Sequence, residues 1–540
     1  MAERYSEELI NFMTTNELLA CVTPGAKEYI QKTINTKNKA DYQKLKKLFD
    51  EQQFEAKSFE DSDLDILTFD WQTLERDRNW WWQLQALPFL NWYANSFSLQ
   101  SEEERTRYLS LCLDAIHNWL NQAKQNKASP LVWHDHAAAF RVRNLTNWLV
   151  FCHSSGLPLG EEPRSELLGS LIIEHLDWLQ EDKHYSKHTN HGFDQAMIAL
   201  TIASMFAGDE FEAYRQRNRE RLEDEVTFAF TDEGVHKENS PGYQKMMLGR
   251  LKQLRTLSPL GEQHVSQMGE RYIEKAEAFL RAITLPNGYL PMIGDTRGGD
   301  KGLPYEQKDQ VDVLDYSASG YVIIRGSDEL GKEFFILLKN THESNYHRHD
   351  DDMMIFAFYN GEVVLGDGGL FNHQEKDEKR KLLRSCFSHS VPFVNAKAIR
   401  DSRKLSAKPS ISRAGRLKFE MKSMMFDELL TREVDISTSP NLKICIVDNA
   451  SGNFKTKVWS IFFFEQLRPI SIGQDFSKIH YDDFMVSLNY QSGASVKFMK
   501  GQDHVDDTSS AYVSGEYGKI KSAMRLMVCD SPLVLCFTHI

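Results

Sequence analysis

The spacing of apolar residues changes once along this chain, near residue 290, and that change constrains the fold most. Between roughly residues 103 and 285 the apolar positions recur with helical spacing. Leu109, Leu111, Leu113, Ile116, Trp119 and Leu120 mark one helix. Phe140, Leu145, Trp148, Leu149 and Cys152 mark another, which ends at Ser154-Ser155-Gly156. Leu167, Leu168, Leu171, Ile172 and Leu176 follow, and the series continues to Ile283. Short connections make successive helices antiparallel neighbours, which predicts an (α/α) toroid or solenoid of helical hairpins. No fixed sequence period accompanies them, so this is not a regular repeat array. After Pro286-Asn287-Gly288 and Gly294-Asp295-Thr296-Arg297-Gly298-Gly299 the pattern becomes strand-like. Tyr321–Ile324, Phe334–Leu338, Ile444–Val447, Val458–Phe463 and Leu533–Cys536 are short apolar runs bounded by turn residues, which predict an antiparallel β-sandwich.

A chain of 540 residues exceeds a single core, and two or three domains are expected. The expected division is a helical extension over 1–60, a helical toroid over 61–310 and a β-sandwich over 311–540. The aromatic block from Trp80-Trp81-Trp82 to Trp92-Tyr93 is too dense for a solvated helix and reads mainly as packing core. The net charge of −13 argues against a nucleic-acid partner, which needs a broad basic surface. A local basic groove for an anionic ligand stays compatible with an acidic body. No apolar stretch reaches the length of a membrane span. Seven cysteines, mostly beside apolar residues and with no CxxC, read as reduced thiols. Met1–Glu8 is charged with no apolar stretch after it, so no signal peptide is expected and the cytoplasm is favoured.

Chemistry concentrates around Tyr346-His347-Arg348-His349-Asp350-Asp351-Asp352. On regular extended backbone His347 and His349 point to one face; at a strand entrance or bulge they are aimed differently. Tyr359-Asn360-Gly361-Glu362 is a strong hairpin signal, and the returning strand brings Asp367 back toward the histidines. His389 follows beside another apolar segment, and nitrogen and oxygen ligands on adjacent strands make a divalent-metal site plausible. In the helical half, polar clusters stand at helix entries: Trp133-His134-Asp135-His136 leading to Arg141 and Arg143, Thr189-Asn190-His191-Gly192, and Glu238 through Tyr243. Asp135 is as readily a helix cap as a site residue. No Walker motif, GxSxG or HExxH is present, and no carboxylate pair stands out for hydrolysis.

A helical half followed by a β-sandwich, with Asn190-His191, Ser240-Pro241-Gly242-Tyr243, His347-Arg348-His349-x-Asp351, Gly366-Asp367-Gly368-Gly369 and Ser388-His389-Ser390-Val391 in this order, resembles the heparinase II/III-like polysaccharide lyases. The likeness covers most of the chain; many members carry His-Asn where this chain has His389-Ser390. It implies β-elimination at a uronic-acid residue of an acidic polysaccharide or oligosaccharide. Asn190 and His191 would then neutralise the sugar carboxylate as charge develops. Tyr243 would be base, acid or both. His347 would supply positive charge, or be the base for the opposite C5 epimer. His349, Asp367 and His389 would hold a structural metal, zinc rather than calcium for two nitrogens and one carboxylate. Arg141, Arg143 and Arg297 are added as anion contacts, with Glu238 at the substrate. The competing expectations are a glycoside hydrolase on a similar toroid and a non-catalytic carbohydrate-binding or capsule-assembly protein.

Overall fold

The computed structural model describes residues 13–72, 75–125, 129–159, 163–306, 310–340, 344, 346–394, 409–426, 428–451, 457–501 and 510–540; Met1–Glu8 lies outside them. Helices follow one another from Thr15 to Ile283, and antiparallel sheets follow from Asp312 to His539. The chain divides into two compact units, residues 1–228 with 250–271, and residues 229–249 with 272–540.

The first unit is helical, and several of its helices begin where a side chain satisfies free backbone N–H groups. Thr14 and Ser101 each form a capping box, with Glu17 and Glu104 reaching back to the cap. Its core gathers Trp71, Trp80, Trp81, Trp119 and Trp148, all buried. Truncating a ring of this kind to Ala costs about 3–5 kcal/mol. Leu18, Ile30, Leu45 and Leu48, from the helices over residues 15–50, enter the same core. Helices α1 (Asp135–Ser154) and α2 (Asn190–Met205) are buried on nearly every side, and their first turns carry polar residues. None of the seven cysteines forms a disulfide. No helix among the described residues is long and apolar enough to cross a membrane.

The second unit is a β-sandwich type of assembly. A five-stranded antiparallel meander runs β1 (Asp312–Tyr316), β2 (Tyr321–Ser327), β3 (Glu333–Lys339), β4 (Met354–Tyr359) and β5 (Glu362–Leu365). Asn360 and Gly361 take φ of 47° and 90°, the turn that an Asn-Gly hairpin requires. An eight-stranded and a four-stranded antiparallel sheet supply the rest of the larger sheets. Leu430–Ser437 alternates buried and less buried positions, as a strand covered on one face should, whereas β4 is buried throughout.

Residues 346–353, ahead of β4, form a loop that side chains hold. His347 and Met353 adopt φ of 53° and 61°, so the backbone here is not a regular strand. Asn239 donates to the carbonyls of Ser344 and Tyr346, both at 3.0 Å. Asp351 is ion-paired with buried Lys339, and Asp352 accepts from Ser423 at 2.7 Å. Arg432 makes a bidentate pair with Asp448 and donates to the carbonyls of Met353 and Ser390 at 3.0 and 2.8 Å.

Candidate active site

Each unit carries a cluster of titratable side chains. In the first unit, Thr189 caps α2 by accepting from the N–H of Gly192 at 3.2 Å, which sets Asn190 and His191 in the opening turn. Gly192 is required there, because a Cβ would meet the Ser186 carbonyl and stand 2.6 Å from Glu225 Oε1. His191 places Nδ1 3.1 Å from Asp135 Oδ2, and its ring stacks on His136 at 4.1 Å. Burial would raise the Asp135 carboxyl, but hydrogen bonds from His134 and His191 hold it far below the carboxylate range. His136, pushed down to about 4 by burial, lies 2.7 Å from Asp194, which Arg250 grips with two bonds of 2.6 Å.

The loop leading into α2 is anchored by Glu225, which accepts from the Tyr185 hydroxyl and the His188 N–H. Burial raises the Glu225 carboxyl to about 7. A carboxyl raised in the fold keeps its proton where the unfolded chain has lost its own. Its contribution to stability is therefore intact below about pH 4.5 and is lost as pH rises through about 7, a loss of about 3 kcal/mol. Glu225→Gln should melt above the wild type at pH 8, and the gap should close at pH 4.5. A gap independent of pH would refute the assignment.

In the second unit, Tyr243 lies in the first turn of the helix Pro241–Gln253 and stacks on His347, ring centroids 3.8 Å apart. His347 places Nδ1 2.7 Å from Asp295 Oδ2 and Nε2 3.5 Å from Glu238. The other oxygen of Asp295 is 2.9 Å from His349 Nε2, and Arg380 binds both oxygens. Burial would raise Asp295, but these three partners hold it well below the carboxylate range. Burial pushes the Tyr243 hydroxyl well above its usual value, and the charges of Asp295 and Glu238 add to the effect. Behind this pair, His349, Asp367 and His389 are fully buried, and each offers a ligand atom within 4.8 Å of the others. His349 Nδ1 and His389 Nε2 have no hydrogen-bond partner. Two buried, unpartnered imidazole nitrogens beside a carboxylate are what a divalent metal would satisfy. Two further groups, His134 with Asp135 and His191, and Asp295 with His347 and His373, meet the same distance limit. Asp367 also lies 2.9 Å from His389 Nδ1, as the acids of the other two groups lie against histidines, but only the His349, Asp367 and His389 group is buried at all three residues.

A family model described as heparinase II/III N-terminus matches residues 5–314. The chain belongs to the heparinase II/III family. Among solved structures it is similar to a heparinase III, with a TM-score of 0.73 and 13% identity over 97% of this chain and 93% of that one. It is also similar to a mutant of the heparan sulfate lyase HepC from Pedobacter heparinus, with a TM-score of 0.64 and 15% identity over 97% and 88%. At such identities the likeness is one of fold: helices first, antiparallel sheets after. No curated protein matches the chain.

In this heparinase II/III chain the expected site residues fall unevenly. Asn190 with His191, Tyr243 with His347, and His349 with Asp367 and His389 each come together as sequence reasoning anticipates. Glu238 is buried beside His347 and His236. Arg297 lies over the Tyr517 ring at 5.4 Å, and Arg143 lies over Phe140 while donating to Asn144. Arg141 corrects an expectation. It is fully buried, lies 4.4 Å over Trp119, and donates to His175 Nε2 and to the carbonyls of Gln85 and Val132. A guanidinium so enclosed meets no substrate. Asp135 likewise turns toward His134 and His191, and the cap residue of α1 is His134, with no side-chain bond. Asp295, Arg380 and His373 were missed. The signal for Asp295 was its neighbour Gly294, where φ is 56° and an added Cβ would stand 2.7 Å from the Asn239 carbonyl oxygen. Arg380 had none.

Proposed function

We propose that the chain is a polysaccharide lyase that cleaves a uronic-acid-containing polymer or oligosaccharide by β-elimination. The observation that carries the reading is the stack of Tyr243 on His347, with His347 held by Asp295: a proton donor and a proton acceptor side by side. The C5 proton of a uronate is lost readily only when the adjoining carboxylate is neutralised, and Asn190 and His191 are assigned that role. The ionised Asp135 accepts a hydrogen bond from Nδ1 of His191 and fixes the orientation of the ring. His347 accepts the C5 proton through Nε2. Tyr243, kept protonated by burial and by Asp295 and Glu238, gives its proton to the leaving O4. The C5–H and C4–O4 bonds break, and the C4=C5 bond forms. The proton on His347 returns to Tyr243 directly or through water. The heparan sulfate named for one structural relative makes sulfated uronates a natural first substrate class, with Arg143 and Arg297 as anion contacts.

Zinc suits the donor set of His349, Asp367 and His389 better than calcium, and when bound it would act as a structural tie with no bond-making role.

The test is ultraviolet absorbance during incubation with a panel of uronic-acid polysaccharides that includes heparan sulfate, hyaluronan and alginate. A rise from the unsaturated uronate is expected. New reducing ends without absorbance would overturn the reading in favour of hydrolysis.

A further inference from the structure

Asp295 is the most heavily engaged carboxylate of the second unit. It is fully buried, and its two oxygens divide between two histidines of different assigned purpose while Arg380 binds both. One oxygen faces Nδ1 of His347, the other Nε2 of His349. A carboxylate only accepts, so each contact fixes which ring nitrogen carries the proton. His347 is held with Nδ1–H on Asp295, while its Nε2 stands 3.5 Å from Glu238, longer than an ordinary hydrogen bond. His349 is held the opposite way, with Nε2–H on Asp295 and Nδ1 left without a hydrogen-bond partner. Metal-binding histidines commonly donate their second nitrogen to a carboxylate, which sets the tautomer and raises ligand basicity.

We propose that Asp295 is a positioning residue shared by the base and the metal site: it orients His347 for proton transfer and selects Nδ1 of His349 as the metal-binding atom. Arg380, on the helix Glu378–Arg384, supplies the counter-charge that keeps this carboxylate ionised away from water. The inference rests on the lyase and metal readings above. It adds that the two are linked through one side chain, so that disturbing the metal ligands disturbs the base.

The first test uses the unaltered chain. Crystals loaded with zinc, with diffraction data collected at the zinc edge, should place the ion on Nδ1 of His349 with Nε2 still bonded to Asp295. An ion on Nε2 of His349 would overturn the inference and leave the metal reading intact. An ion absent from His349, Asp367 and His389 would overturn both.

The second test is Asp295→Asn, which keeps the shape but offers one acceptor oxygen instead of two. Titration with a competing chelator should strip its zinc at about 10–100-fold lower chelator concentration than the wild type. The kcat of the folded variant should fall by about 10–100-fold, with KM within about twofold. Zinc retention equal to wild type, or activity lost only in proportion to unfolded protein, would make Asp295 a structural partner of Arg380 alone. If the variant does not fold, the crystallographic arm decides. Failure of the lyase reading is separate: the wild type would produce no absorbance on any polymer.

Discussion

Tyr243→Phe is expected to lower kcat by about 10²–10⁴-fold while leaving KM within about threefold. The substitution removes one oxygen and keeps the ring that stacks on His347, so the loop geometry survives. What disappears is the proton destined for the leaving oxygen. The same placement sets the sign of a pH effect. Burial and the charges of Asp295 and Glu238 raise the hydroxyl above its ordinary value. The donor form is lost only as pH rises through that raised value, so alkaline loss attributable to this group should begin above about pH 10. The measurement is the initial rate of absorbance rise, wild type beside variant, with melting curves to show equal folding. A Phe variant keeping more than about a tenth of kcat would remove Tyr243 from the chemistry.

The second large effect concerns a fully buried guanidinium. Arg141→Met should destabilise the chain by about 3–5 kcal/mol, because it strands three buried acceptors at about 1–3 kcal/mol each while removing an unfavourable buried charge. Those acceptors are His175 Nε2 and the carbonyls of Gln85 and Val132. Burial already draws the guanidinium down to about 9, which marks how little water reaches it. Denaturant titration should show the midpoint moved, and the folded fraction should keep the wild-type KM. An unchanged midpoint with a raised KM would return Arg141 to the substrate.

These two residues show what the sequence made legible. Tyr243 and His347 stood out as candidates because each sits in a short motif that carries the family resemblance. The helix-to-strand change was found because burial imposes periods of 3.6 and 2. Arg141 was misread because a charged residue two positions from another, Arg143, gives no sign of which faces the core. In a helix buried on nearly all sides, the usual inference that charge means solvent fails. Asp295 and Arg380 were missed for a different reason: the contact joins residues 85 positions apart. The left-handed backbone at His347 likewise breaks the regular strand, and residue type does not disclose it.

The loop ahead of β4 has a consequence for how such a chain can change over generations. Its shape comes from private pairings with scattered positions: Asn239 with two carbonyls, Lys339 with Asp351, Ser423 with Asp352, and Arg432 with the carbonyl of Met353. Losing one member strands a buried polar or charged partner, so single exchanges there are costly and compensated double exchanges are not. These positions are therefore expected to drift as linked sets, while the Asn360-Gly361 turn, which depends only on its own two residues, is free to be rewritten locally.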